Sequence, residues 1–423
     1  MRFSLVAFLL FAAPVRADEP SPRAVLDAFE KQLKAAHESA GPCVACIVVS
    51  RSEHYPKPAK PPAHAGQLGD YSPAVFLKNN PGKAKLAAHL DLSDIKTIPE
   101  HTYTGGVVVD AAGLILTTFQ PLDGATKLYV HLPGGKGSYA DIHAADTRCD
   151  LAVLKLLTPP PGLKPIKLGE VRFADTPDGR KATVFPGKMV VLLTNPYCSG
   201  FTMDRPSGGL GTISNVRRRL ASPEGQTNNR NAYAYGTFLE HDARLFAGAG
   251  RGDGVAVPMF DVPETKANAG ISGAALLNLD GELIGLTTQG HALAKAEYGP
   301  GFAFPIDANI RRIIGVLARG EEVEYGYLGL QFPPSWNGAF RPATPDTLTI
   351  AGVVPQGPAW AAGLHGGGTI SRVDDIPLKN YGDLIYFAGS ALAGTKIKLT
   401  IGTEPTARHY DITLGKFRHD QQE

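Results

Sequence analysis

Gly106-Val107-Val108-Val109-Asp110-Ala111-Ala112-Gly113-Leu114-Ile115-Leu116-Thr117-Thr118-Phe119-Gln120-Pro121-Leu122-Asp123-Gly124-Ala125 reads as a strand, a glycine turn, a second strand and a second turn in one short run. Two later stretches belong with it. Thr147-Arg148-Cys149-Asp150-Leu151-Ala152-Val153-Leu154-Lys155-Leu156 sets Asp150 directly before an apolar strand. Asn268-Ala269-Gly270-Ile271-Ser272-Gly273-Ala274-Ala275-Leu276 sets Ser272 between glycines. Short strands are expected over Val107–Asp110, Leu114–Thr117, Lys127–His131, Leu151–Leu156 and Met189–Thr194. Such spacing argues for barrels or sandwiches rather than βαβ units. The 48 glycines and 34 prolines suit many strands joined by turns.

At 423 residues, 43% hydrophobic and 19% charged, the chain is long enough for two or more domains and apolar enough to bury a core. Arg2, the apolar run Phe3 to Ala13 and Val15-Arg16-Ala17 read as a secretory signal cut after Ala17, since the run is too short to span a bilayer. Removing Arg2 and Arg16 from the 42 basic residues leaves them equal in number to the 40 acidic ones. That balance argues against nucleic acid as a partner, and Arg217-Arg218-Arg219 reads as a solvated turn. No second long apolar run points to a membrane span. Cys43, Cys46, Cys149 and Cys198 allow three complete pairings, among which the sequence does not choose. Cys43-x-x-Cys46 lies in a strand and no second pair stands at zinc spacing, so no metal site is expected.

Ser21-Pro22 suits a helix start, and Leu26, Phe29, Leu33 and Ala36 continue it at helical spacing to about Ser39. A strand over Val44–Ser50 follows. Residues 52–101, with seven prolines and little periodicity, read as a long loop. A second insertion is expected at about 221–267, and its Arg251-Gly252-Asp253 carries no weight as a tripeptide. Gly301-Phe302-Ala303-Phe304-Pro305-Ile306 reads as a strand, followed by a helix over Asp307–Ala318 and a charged linker.

The three opening stretches resemble, in order and spacing, those of the HtrA/Deg family of trypsin-fold serine proteases, whose first stretch runs roughly GVIIDxxGxILTNxHVVxGA. The family's catalytic histidine falls on Gln120, its aspartate on Asp150 and its nucleophile on Ser272. Gly270 falls in its oxyanion turn. The last ninety or so residues resemble one PDZ domain: Tyr327-Leu328-Gly329-Leu330 fits the carboxylate-binding loop, and Val353 to Leu364 fits the strand, turn and helix that follow. His365-Gly366-Gly367-Gly368-Thr369 departs from that pattern. The resemblance implies a mainly β chain: a signal peptide over 1–17, a trypsin-like double β-barrel over 18–320 with an N-terminal helix and the two insertions, one C-terminal PDZ domain over 325–416, and a tail over 417–423.

Acyl transfer by serine needs a nucleophile, a base in hydrogen-bond reach, an orienting carboxylate and oxyanion donors. Ser272, Asp150 and the Gly270 turn supply three of these under the resemblance, and Gln120 supplies no base, because a carboxamide takes no proton near neutral pH. Its amide is expected to bridge Ser272 and Asp150 instead. Loss of the histidine costs on the order of a million-fold in turnover, about 8 kcal/mol. Ala274 and Ala275 also depart from the family's "SGGP". Read alone, Asp150 is a turn cap and Ser272 a turn serine. Among the histidines, His131 and His143 fall on strands after the Gln120 loop, and His241, before Asp242, is the least implausible substitute base; His101 falls beside a recognisable block.

The expectation is a periplasmic or secreted pseudoprotease that binds unfolded or extended polypeptides, with C-terminal peptides at the PDZ domain, no cofactor, and a homotrimer as the family's common assembly. An active endopeptidase with a non-standard base is the alternative, and a structural envelope protein a third.

Overall fold

The computed structural model describes residues 21–50, 92, 102–175, 179–195, 206–218, 237–243, 272–288, 301–332, 348–374, 376–379, 383–384, 387 and 389–416. Helix α1 (Pro22–Ala40) begins where Ser21 Oγ accepts the Ala24 N–H at 3.2 Å, the cap that Ser-Pro announces. Its last two turns bury Ala36 and Ala40, whereas Val25 and Leu26 in its first turns stay exposed.

Six strands then close a barrel. They are β1 (Val44–Ser50), β2 (Thr102–Asp110), β3 (Leu114–Thr118), β4 (Lys127–Leu132), β5 (Lys136–Asp146) and β6 (Leu151–Leu156), in the order β1-β2-β3-β6-β5-β4. Every residue of β1 is buried, so it reads as a continuous apolar run rather than an alternating one. Cys43, Cys46 and Cys149 are buried, and burial raises the Cys43 pKa to about 11.

A second barrel follows: β7 (Met189–Thr194), β8 (Ser207–Arg218), β9 (Phe238–His241), β10 (Ala275–Leu277), β11 (Leu283–Thr288) and β12 (Gly301–Pro305), in the order β10-β11-β12-β9-β8-β7. The expected double barrel is therefore present. Two local expectations are corrected. Phe238–His241, inside the stretch read as an insertion, is a barrel strand, because Phe238 and Leu239 are fully buried in its core. Arg217 and Arg218 end β8 instead of forming a solvated turn: Arg217 sits over the Phe173 ring and pairs with Asp383 at 3.9 Å, and Arg218 pairs with Glu240 at 3.2 Å. Residues 1–17, Cys198, Gly270 and the tail from 417 lie outside the described residues, as do most of 52–101 and 221–267.

Helix α2 (Ala308–Ala318), capped by Asp307, packs Ile310, Ile313 and Leu317 into the first barrel's core cluster. The chain continues as β13 (Gly326–Tyr327), β14 (Leu330–Gln331), β15 (Leu348–Ile350), β16 (Gly352–Val353), a single helical turn α3 (Pro358–Ala361), β17 (Gly368–Val373), β18 (Ile376–Pro377), β19 (Lys396–Ile401), β20 (Arg408–Thr413) and β21 (Gly415–Lys416). This C-terminal unit has its own core around Leu348, Ile370, Leu399 and Ile412. Among the described residues no helix is long and apolar enough to cross a membrane.

Candidate active site

Asp150 ends the turn between β5 and β6 with φ 52, the left-handed region that aspartate tolerates better than most residues. The conformation is held from three sides. The Phe119 N–H donates to the Asp150 carbonyl at 3.1 Å, and the Gln120 N–H donates to Oδ1 at 2.7 Å. Thr288, at the end of β11, donates its hydroxyl to Oδ2 at 2.9 Å, so one carboxylate ties the two barrels together. Asp150 is only 7% exposed, and burial raises its pKa to about 6 even though the bonds from Gln120, Thr288 and Phe119 pull the other way. Near neutral pH it is an anion with both oxygens occupied.

Ser272 opens the turn that enters β10, and its backbone is fastened to both barrels. Its carbonyl accepts the Gly105 N–H at 2.7 Å and the Thr104 hydroxyl at 3.0 Å, both from β2. The next two amides reach β11: Gly273 N–H to the Thr287 carbonyl at 2.7 Å, and Ala274 N–H to Thr287 Oγ1 at 2.9 Å. Gly273 has φ 72, and a Cβ there would lie 2.1 Å from the Gly105 carbonyl oxygen, so only glycine fits. The Ser272 hydroxyl, on a residue 2% exposed, lies 2.8 Å from Thr118 Oγ1 at the end of β3.

Gln120 starts the 3-10 turn Gln120–Leu122, with Pro121 in the position where a missing N–H costs least. Its residue is exposed while its backbone faces Asp150. A backbone bond joins Gln120 to Asp150, and the Ser272 hydroxyl meets Thr118. The scaffold thus gathers positions 120, 150 and 272 where the last turn of β3, the β5–β6 turn and the entry to β10 converge.

The described histidines sit elsewhere. His131, in β4, is buried against Tyr129 with its Nε2 3.1 Å from the Leu92 carbonyl, and burial lowers its pKa. His143, in β5, lines an outer pocket with Asp141, Ile142, Lys155, Leu156 and Leu157. His241, in β9, is buried beneath Gly301, where a Cβ would come 2.3 Å from its ring. His101 lies outside the described residues.

Two residues escaped the reading by sequence. Thr288 gives no local sign that it will meet a carboxylate 138 positions away. Thr118 carried a faint one, since it stands where the quoted family stretch has asparagine.

In the C-terminal unit, Tyr327 pairs with Gly415, and Leu330 pairs with Val353. Between them Leu328 is buried and Gly329 turns with φ 74. The carbonyls of Leu328 and Gly329 are occupied by the N–H groups of Ala359 (3.0 Å) and Val354 (2.9 Å).

Residues 104–286 match the family model of the trypsin-like peptidase domain. With two closed barrels and Ser272 fastened between them, the fold is mainly β and trypsin-like. The chain is 26% identical over 299 residues to the probable periplasmic serine protease do/HhoA-like of Haemophilus influenzae, covering 70% of this chain and 54% of that protein. It is 26% identical over 329 residues to the periplasmic pH-dependent serine endoprotease DegQ of Escherichia coli, covering 77% and 62%. Among solved structures, the HtrA-type protease AlgW with tripeptide aligns with TM-score 0.52 at 20% identity, covering 91% of this chain and 97% of that one, a likeness of fold. These matches support the HtrA-type serine protease family. The trypsin-like chain spans between 54% and 62% of the length of those two periplasmic relatives.

Proposed function

We propose that this chain is an HtrA-like protease homologue, periplasmic or secreted, that binds extended polypeptide without hydrolysing it. The reading rests on one contact, the 2.7 Å bond from the Gln120 N–H to Asp150 Oδ1. The orienting carboxylate of a serine protease serves the base beside it. Here the residue beside it is glutamine, which cannot receive the serine proton. Ser272, Asp150 and Gly270 are the inherited parts of the site, with Gln120 in the histidine slot.

The mature chain is taken to begin after Ala17, with the protease-fold domain over 18–320 and a PDZ domain over 325–416. At Tyr327-Leu328-Gly329-Leu330 the Leu328 and Gly329 carbonyls are occupied by the Ala359 and Val354 N–H groups, and backbone amides of this loop would receive a terminal carboxylate. The peptide would add as a strand, the usual mode of such domains. The exposed Val25 and Leu26 of α1 favour self-association through the N-terminal helix, a homotrimer by family resemblance.

The test is incubation of the mature chain with casein, followed by gel and by fluorescence anisotropy. Binding without cleavage, identical in Ser272→Ala, is expected. Turnover by wild type that Ser272→Ala abolishes would overturn the reading in favour of an unrecognised base. Neither binding nor turnover would leave a structural protein.

A further inference from the structure

We propose that Thr118 is a second silencing residue, whose hydroxyl holds the Ser272 hydroxyl away from position 120. This deepens the reading of a catalytically silent site and rests on it. The observation is the 2.8 Å contact between Thr118 Oγ1 and Ser272 Oγ, made by residues 0% and 2% exposed. A buried hydroxyl that gives up its partner bears the cost of desolvation uncompensated, so this bond is expensive to leave.

Thr118 is also poorly able to turn away. It ends β3, paired with Leu151, the residue after Asp150. The run Ile115-Leu116-Thr117-Thr118 is entirely buried. The preceding Thr117 is fixed through its own hydroxyl to the Gly105 carbonyl at 2.7 Å, and Gly105 in turn holds the Ser272 carbonyl. A β-branched side chain in such a strand has little rotamer freedom. The nucleophile's carbonyl and hydroxyl are therefore both held by the first barrel. If Ser272 donates to Thr118, its proton points away from any base at position 120; if it accepts, a lone pair is engaged. In the first case a base introduced at position 120 must first break this bond; in the second the serine keeps its proton for such a base, but the donated bond makes its oxygen a weaker nucleophile.

The inference predicts that restoring the histidine is not sufficient. The experiment measures the rate at which a fluorophosphonate probe labels Ser272 in the full mature chain, as a function of pH. The variants are wild type, Gln120→His, and Gln120→His combined with Thr118→Val, Thr118→Ala or Thr118→Ser. Valine keeps the shape and suits a strand; alanine removes the hydroxyl by a different route should valine pack badly; serine keeps the hydroxyl. Valine and alanine are expected to raise labelling about tenfold over Gln120→His alone, the scale of one hydrogen bond. Serine is expected to stay as slow as Gln120→His, and the faster variants should show a histidine-like rise with pH. Equal rates with valine, alanine and threonine would overturn the inference, as would serine matching valine or no labelling in any variant. Fast labelling of wild type would instead defeat the silent-protease reading, so the two failures are distinguishable.

Discussion

At the scale of single residues, Asp150 bears the clearest physical cost. Its carboxylate is buried between two barrels, and its pKa rises to about 6 from an ordinary value of 3.8. The native state therefore holds its proton more tightly than the unfolded chain does. In that case the ionised group lowers stability at neutral pH, and the penalty fades as pH falls through 6 toward 4. Asparagine keeps an acceptor for the Gln120 N–H and has no charge to bury. Asp150→Asn should therefore gain on the order of 2 kcal/mol in urea unfolding at pH 7.5, and the gain should shrink by more than half at pH 4.5. A gain independent of pH would show that burial of the charge is not its source. The neighbourhood of this residue was legible only in part. Positions 120, 150 and 272 stand out in sequence only because their three stretches resemble, in order and spacing, those of the HtrA/Deg family. The partners that occupy them, Thr118 and Thr288, were not legible, since a threonine at a strand end gives no sign of what crosses from the other barrel.

Among elements, the entry to β10 and the β5–β6 turn are where the fold holds the site. Gly273 has φ 72 and no room for a Cβ beside the Gly105 carbonyl. Gly273→Ala should cost about 1–3 kcal/mol from overpacking, with left-handed strain in addition, seen as a lowered urea midpoint. The β5–β6 turn is held from outside the barrel. Tyr325 donates its hydroxyl to Asp146 Oδ2 at 2.5 Å and lies 2.9 Å from Cys149 Sγ, while Arg148 stacks over its ring at 4.1 Å. The same Asp146 oxygen accepts the Cys149 N–H at 2.8 Å. Burial pushes the Tyr325 hydroxyl and the Cys149 thiol well up, so both stay protonated. Tyr325→Phe should cost about 1–2 kcal/mol, and a cost near zero would mean that the turn holds itself. Strand period and capping residues predict β1, β3, β6 and α1 closely. They miss β9, which is a short apolar run flanked by stretches whose composition resembles a loop.

For the whole molecule, the C-terminal unit is not simply appended to the barrels. Tyr325 and Leu392 pack with the first barrel's core, Asn309 of α2 donates to Ser390 Oγ at 3.0 Å, and Arg217 of the second barrel pairs with Asp383. Around Tyr325 the backbone is tied to the C-terminal unit: the Gly326 N–H donates to the Ala391 carbonyl at 2.7 Å, and the Ala393 N–H donates to the Glu324 carbonyl at 2.9 Å. One residue therefore touches both the turn that presents Asp150 and the base of the C-terminal unit. The Arg217–Asp383 pair, long at 3.9 Å, contributes little, so most of the coupling falls on the buried tyrosine. On heating, the full chain is expected to lose barrel and C-terminal structure in one calorimetric transition. Tyr325→Ala, which empties the junction of its ring, should separate a lower transition for the C-terminal unit from that of the barrels, whereas Asp383→Ala should leave the single transition intact. Two transitions already present in wild type would mean that the junction transmits no stability, and peptide capture at one end could then leave the Ser272 site untouched.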